Sequence, residues 1–380
     1  MMRSRKSVMI IAGEVSGDLH GANLVRAVRR QNASVRFFGI GGDRMADAGV
    51  RLHQHIHEMS FLGFVEVVRH LPFIRRVFRT MNALLDSEKP DLVILVDYPG
   101  FNLRFARDVK KRNIPLCYYI SPQVWAWGRG RVKEMAELVD RMIVILPFEE
   151  EIYRDAGMDV HFVGHPLKDA IQVDMEKTPF FKETGLDPDK KTIGMLPGSR
   201  RQEVQRLLPP MMEAFRSIRR AIPGIQAVIG MSPALDAAEY EAIARRATDR
   251  PAMAAKHTYE VMAHSDALMV ASGTATLEAA LIGTPLVVLY KMSPLSYLMG
   301  RYLVKIRFIS LINIIAGRQV VTELIQDRVT PGRIAEHMIP LLTDDKQRKA
   351  MRRELESVSG LLGEAGASGR AADLVLDMLA

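Results

Sequence analysis

The amino-acid sequence predicts an α/β protein of two doubly wound units in tandem, facing each other across a cleft. Three observations predict it. The chain has 380 residues, too many for one ordinary core, since single domains usually run to roughly 100–200 residues. Short β-branched runs alternate with helical patterns through both halves, as a mostly parallel sheet covered on both faces requires. Between the halves, the polar stretch Asp187-Pro188-Asp189-Lys190-Lys191 interrupts the alternation before a new series begins.

The first half offers Val8–Ala12, Val35–Ile40, Leu92–Val96, Leu116–Ile120, Met142–Leu146 and His161–Val163 as strands. That series ends around Gly164-His165-Pro166, which sets domains of 1–165 and 166–345 and leaves 346–380 as a helical tail. The second half begins at Thr192–Leu196 and continues with Gln226–Gly230, Ala267–Ala271 and Leu286–Tyr290, separated by helical patterns such as Glu203–Ala221 and Ala234–Ala247. Ligands of such sheets bind beyond the carboxyl ends of the strands, so the loops after each strand are where chemistry is sought.

Composition narrows the setting. Hydrophobic residues at 48% and charged residues at 25% leave no room for a long disordered region. The single cysteine, Cys117, lies in an apolar run, which excludes an internal disulfide and points to a reducing compartment. The basic start Met-Met-Arg-Ser-Arg-Lys is followed by an apolar segment too short for a signal peptide. No stretch approaches the roughly 18–20 apolar residues of a spanning helix, so any membrane is met from the side. A net charge of +8 suits an anionic partner without choosing among nucleic acid, acidic headgroups and phosphorylated metabolites.

The loop after the first strand, Gly13-Glu14-Val15-Ser16-Gly17-Asp18, opens the helix His20–Arg30 and lets a ligand approach its backbone. Its two carboxylates argue against a diphosphate; Glu14 and Asp18 suit sugar hydroxyls, while Ser16 or Asp18 equally fits a helix cap. Gly39-Ile40-Gly41-Gly42 is too short for a dinucleotide fingerprint. The buried run 91–96 delivers Asp97 to a strand end with Tyr98-Pro99-Gly100 behind it, a position for a general base or for a cap on the next helix. In the second half, Pro197-Gly198-Ser199-Arg200 presents backbone N–H groups and a guanidinium to a phosphate. Ser272-Gly273-Thr274-Ala275 makes another strand-to-helix turn, with Glu278 one helical turn on to take ribose hydroxyls. A diphosphate fits between the two turns, and neither has the lysine of a triphosphate-hydrolysing loop. The ten histidines are scattered, no zinc spacing or Asp-x-Asp motif occurs, and neither a metal nor a cofactor is required. His165 and His257 are minor candidates, since a lone histidine is more often structural.

Residues 61–85 interleave Phe64, Phe73, Ile74 and Phe78 and further apolar side chains with Arg69, Arg75, Arg76 and Arg79. This is the composition of an interfacial element that enters lipid beside anionic headgroups, or of a helix buried against the sheet. A second such stretch, Leu295–Ile309, favours the membrane.

The motifs Ala12-Gly13-Glu14-Val15-Ser16-Gly17-Asp18, Ser121-Pro122-Gln123-Val124-Trp125-Ala126-Trp127, Leu146-Pro147-Phe148-Glu149, Leu196-Pro197-Gly198-Ser199-Arg200, Ala271-Ser272-Gly273-Thr274-Ala275 and Asn313-Ile314-Ile315-Ala316-Gly317-Arg318, in that order, resemble the lipid-A-disaccharide synthase family. These are glycosyltransferases of the two-Rossmann-domain GT-B class, family 19, and the resemblance spans nearly the whole chain. It implies an inverting, metal-independent transfer from UDP-2,3-diacylglucosamine to 2,3-diacylglucosamine 1-phosphate, giving the lipid A disaccharide 1-phosphate and UDP. The first domain would then face acceptor and membrane, and the second would hold the UDP-sugar. On that pattern Asp97 is the base, and Ser272, Gly273, Thr274 and Glu278 hold phosphates and ribose. Arg200 lies by the leaving diphosphate, and Asn313 and Arg318 reach the same site. Some relatives have a second acid where this chain has Gly100, which leaves Asp97 the stronger base. The resemblance also implies a homodimer, formed through the C-terminal domain, placed in the cytoplasm and peripheral on the inner face of the inner membrane. The alternatives are another GT-B-type enzyme, such as a UDP-N-acetylglucosamine 2-epimerase or a peptidoglycan glycosyltransferase, and, from another class, a basic nucleic-acid-binding protein. The last lacks a base-reading module, and residues 61–85 are too apolar for a solvated phosphate-binding helix.

Overall fold

The computed structural model describes residues 5–58, 71–123, 130–233, 235–245, 250–293, 297 and 307–380. It divides into two compact units, one of Met1–Asp169 with Leu362–Ala380 and one of Ala170–Leu361.

In the first unit, β1 (Ser7–Ala12), β2 (Arg36–Gly41), β3 (Val50–His55), β4 (Leu92–Val96), β5 (Leu116–Tyr119), β6 (Arg141–Val144) and β7 (Val160–Phe162) form a parallel sheet in the order β3-β2-β1-β4-β5-β6-β7. The helices are α1 (Val15–Gln31), α2 (Asp43–Asp47), α3 (Leu71–Glu88), α4 (Pro99–Lys110), α5 (Gly130–Leu138) and α6 (Pro147–Arg154). Strand residues alternate between faces. Met9, Ile11, Val93, Leu95 and Tyr118 join Val77, Met81, Phe105, Met135 and Tyr153 in one core under α3 to α6. The intervening Val8, Ile10, Ile94 and Cys117 are equally buried, on the other face.

In the second unit, β8 (Thr192–Leu196), β9 (Gln226–Met231), β10 (Ala252–Ala255), β11 (Ala267–Ala271), β12 (Leu286–Tyr290) and β13 (Thr322–Ile325) form a parallel sheet ordered β10-β9-β8-β11-β12-β13. Its helices are α7 (Lys177–Thr184), α8 (Arg201–Ala221), α9 (Ala237–Ala244), α10 (Thr258–His264), α11 (Thr274–Ile282), α12 (Leu311–Ala316), α13 (Pro331–Thr343) and α14 (Asp345–Leu361).

The chain then returns to the first unit as α15 (Ala367–Leu379). The stretch expected as one tail, 346–380, is therefore split: α14 stays with the second sheet and α15 packs along α1. Every crossover after β4 runs over the α3 to α6 face, so the opposite face beside α1 needs an apolar cover from elsewhere. Ala371, Ala372 and Val375 provide it, fully buried. Arg141 fixes the helix end, with Nη1 donating to Leu374 O at 3.0 Å and pairing with Asp377 at 2.7 Å.

In the described part of the amphipathic segment, the residues expected to face a membrane, Phe73, Ile74 and Phe78, also serve the first unit's core. All three are half-buried and pack on the sheet core, and the Phe78 ring meets Phe101 and Phe105 edge-on at 5.4 and 5.8 Å. The helical period turns this apolar stripe inward and leaves Arg75, Arg76 and Arg79 exposed. Phe64 and most of Leu295–Ile309 lie outside the described residues. Among the described residues no helix is long and apolar enough to cross a membrane.

Val375→Ala is expected to destabilise the first unit by about 2 kcal/mol, the usual cost of a buried cavity of that size. Chemical denaturation should show that loss with the second unit's transition unmoved.

Candidate active site

The winding of the first sheet reverses between β1 and β4, which are paired from Val8↔Leu92 to Ala12↔Val96. Their loops, Gly13-Glu14 and Asp97-Tyr98, therefore lie side by side at the switch point. Asp97 and Tyr98 both have left-handed backbones, with φ of +44° and +49°. For residues other than glycine, each costs about 1–3 kcal/mol. Gly13 makes room for this turn, because a Cβ there would stand 2.2 Å from the Tyr98 ring.

Burial above all, and then the negative charge of Glu14, push the Asp97 carboxyl up to about 6, against the pull of the Tyr98 N–H bonded to it. The result is a carboxylate basic enough to take a proton near neutral pH. Glu14 and Ser16 are exposed at the start of α1. Asp18 is not available to a ligand. It is 4% exposed, and its carboxylate accepts from Gly42 N at 2.7 Å, Met45 N at 3.0 Å and Arg44 N at 3.2 Å. It satisfies the start of α2, not that of its own helix, so its assignment to sugar hydroxyls is corrected.

The second sheet reverses between β8 and β11, and there a cavity of about 510 Å³ opens. Ser199, Arg200, Ser272, Gly273, Thr274, Ala275 and Glu278 all line it, so seven of the residues singled out from sequence converge. The two turns differ electrostatically. In the first, the Glu203 carboxylate accepts from Ser199 N at 3.1 Å and Arg200 N at 3.3 Å and pairs with the Arg200 guanidinium at 2.8 Å. Gly198, at φ +113°, passes so close that a Cβ would stand 2.4 Å from Glu203 Oε2. The N–H groups read from sequence as a phosphate cradle are thus already bonded. At the second turn α11 starts from Gly273 with no side-chain cap; Thr276 N bonds Gly273 O at 3.1 Å, and Thr274 and Ala275, which open the helix, line the cavity. Glu278 receives the Tyr259 hydroxyl at 3.2 Å, and burial raises its carboxyl above the usual range against that bond.

Asn313 and Arg318 do not join them. Asn313 is fully buried; its amide donates to Val321 O at 2.9 Å and Glu323 Oε1 at 2.8 Å and accepts from Val320 N and Val321 N. It is a staple, and Glu323 in turn holds Ile309 N and Ser310 N, both at 2.9 Å, in the segment that meets Ser272. Arg318 is exposed and paired with Glu354. His165 is buried, bonded through its backbone N–H to Leu362 O and lowered to about 3 by burial and by His20, so it stays neutral. The His257 ring lies 3.2 Å from Glu183. Sequence reading missed Glu203, Ser232, Lys256, Thr258 and Tyr259 in the cavity wall, and Tyr240 beyond it; the Tyr240 hydroxyl bridges Ser232 N and Gly198 O. Glu203 had a signal, its place three residues after a helix start. Among the described residues no three His, Cys, Asp or Glu side chains converge as a metal site needs.

The raised Asp97 carboxyl makes stability pH-dependent. The native group holds its proton up to about pH 6 while the unfolded one releases it near 4, so stability falls as pH rises through that window. Asp97→Asn is therefore expected to stabilise the first unit by up to about 3 kcal/mol at pH 8 and by almost nothing below about pH 4. Denaturation at the two pH values checks this.

The fold finds counterparts among known proteins. The family model described as lipid-A-disaccharide synthetase matches residues 8–371. The lipid-A-disaccharide synthase of Syntrophus aciditrophicus is 46% identical over 98% of both chains, and that of Myxococcus xanthus 42% identical over 100% of this chain and 99% of its own. Among solved structures, the UDP-GlcNAc 2-epimerase from Neisseria meningitidis bound to UDP-GlcNAc matches with a TM-score of 0.65 at 11% identity, covering 98% of this chain and 99% of that one. The calicheamicin glycosyltransferase CalG4 matches at 0.61 and 18% identity, covering 100% and 99%. These distant structures share the fold alone. Matched from end to end at this level of identity, the chain belongs to the lipid-A-disaccharide synthetase family.

Proposed function

We propose that this enzyme joins UDP-2,3-diacylglucosamine to 2,3-diacylglucosamine 1-phosphate, giving the β-linked disaccharide 1-phosphate and UDP. The observation that carries the reading, in a chain of this family, is the buried Asp97 carboxyl raised to about 6 at the mouth of the first sheet. In the reaction an acceptor hydroxyl oxygen bonds to the donor's anomeric carbon as the bond from that carbon to the diphosphate breaks. Asp97 takes the hydroxyl proton, UDP leaves with the electron pair, and the configuration inverts. Glu14 and Ser16, exposed beside Asp97, bind sugar hydroxyls.

The second unit holds the donor. The open start of α11, with Ser272, Gly273, Thr274 and Ala275, takes the diphosphate, and Glu278 takes the ribose. Arg200 and Ser199 stabilise the charge that develops on the leaving UDP. The exposed Arg75, Arg76 and Arg79 of α3 pair with anionic headgroups, placing a peripheral enzyme beside its acylated substrates.

The test is a transfer assay with both acylated substrates in detergent, with and without chelator, following UDP and disaccharide together. Disaccharide should form in both cases. Asp97→Asn is expected to lower kcat by roughly 100- to 10,000-fold, leaving a measurable residual rate, with UDP affinity retained. Arg200→Ala should raise the donor KM and lower kcat by roughly 10- to 100-fold, as for loss of a charge-stabilising donor. Glu14→Gln should move the acid limb of the kcat profile below its position near pH 6, because Glu14 helps raise Asp97. Replacing Arg75, Arg76 and Arg79 together with Gln should reduce sedimentation with vesicles of anionic lipid and leave the transfer rate in detergent unchanged. Undiminished sedimentation would remove α3 from the membrane contact.

A further inference from the structure

The turn that carries Asp97 has a backbone its own residues disfavour, and it is gripped by two side chains from outside it. A glycine would take φ of +44° at no steric cost, but a glycine brings no carboxylate. If position 97 is to deliver a base, the strain stays and something else has to offset it. Asn102, fully buried on α4, donates Nδ2 to Asp97 O at 2.7 Å and to Val96 O at 3.2 Å. Tyr118, fully buried on β5, donates its hydroxyl to the same Asp97 O at 2.6 Å. One carbonyl thus receives two side-chain donors, one from the following helix and one from the neighbouring strand, which fixes the plane of the 97–98 peptide.

Neither contact is ordinary helix capping. The Asn102 backbone N–H already makes the first helical bond, to Tyr98 O at 3.1 Å. Its Oδ1 is buried with no partner among the described residues. The orientation of the amide therefore answers to the two carbonyls at the strand end; the reversed amide would put its oxygen against theirs. Neither side chain bonds the Asp97 carboxylate itself.

We propose that Asn102 and Tyr118 are positioning residues for transfer: by holding the Asp97 carbonyl they maintain the left-handed turn and so aim the carboxylate at the acceptor hydroxyl. The assignment rests on the reading of Asp97 as the base. Displacing a reacting group by about 1 Å costs on the order of 100-fold in rate, and these bonds hold the turn in place.

The experiment uses the full-length enzyme, with Tyr118→Phe and Asn102→Ala made singly and each combined with Asp97→Asn. In otherwise native enzyme, Tyr118→Phe should lower kcat roughly tenfold and Asn102→Ala roughly 100-fold, with donor KM and UDP affinity unchanged. In the Asp97→Asn background neither should lower the residual rate further, because no base is left to aim. Tyr118→Phe keeps the ring and removes one hydroxyl, so it decides the matter if Asn102→Ala does not fold. Full kcat in Tyr118→Phe would overturn the proposal, and so would a loss of equal size with and without Asp97, which is the mark of a merely structural role. Full turnover in Asp97→Asn alone would instead sink the reading of the base, a different result from either.

Discussion

Helices that leave neighbouring parallel strands toward opposite faces cannot close over the strand ends between them, and both sites of this molecule depend on that opening. In the first sheet it falls between β1 and β4, where the register that sets Ala12 against Val96 brings Gly13 and Asp97 together. In the second it falls between β8 and β11, where Leu196 against Val270 does the same for the turns at Gly198 and Gly273. Strand pairing thus brings together residues that are far apart in sequence, and the local chemistry of each loop decides what the opening can hold.

The two openings are charged in opposite senses. The first gathers carboxyl groups, Glu14 and Asp97, and there the burial of Asp97, with repulsion from Glu14 second, keeps the Asp97 proton affinity useful near neutrality. The second gathers N–H groups, with Arg200 and Lys256 beside Glu203 and Glu278. Glu203 makes the turns there unequal: it bonds the amides after Gly198 and pairs with the Arg200 guanidinium, whereas the start of α11 carries no side-chain cap.

Buried strands were legible in the sequence because both of their faces are apolar, and every strand anticipated is present. The strands not anticipated, β3, β10 and β13, all lie at sheet edges, where half-solvated residues such as Arg51, Gln54 and Thr322 break the apolar run. Lys256 was missed with β10, since it follows that strand. The donor-side residues were legible as small-residue turns after strands. Asp18, Asn313 and Arg318 were not: each bonds a partner distant in sequence, and motif and spacing do not distinguish a polar side chain that serves a ligand from one that satisfies the protein's own backbone. On α3, composition merged two faces that the helical period separates, so apolar anchors and arginines read as one surface.

The return of α15 bears on how the chain is made. The second unit is continuous in sequence, whereas the first lacks one of its covering helices until residues 367–379 are synthesised. At 5–20 residues per second, roughly 10–40 s separate the emergence of β7 from that of α15. Through that interval the later unit can finish folding while the earlier one carries a bare apolar sheet face. The first unit is therefore completed after the second, and until α15 arrives the apolar surface that Ala371, Ala372 and Val375 later cover is open to water.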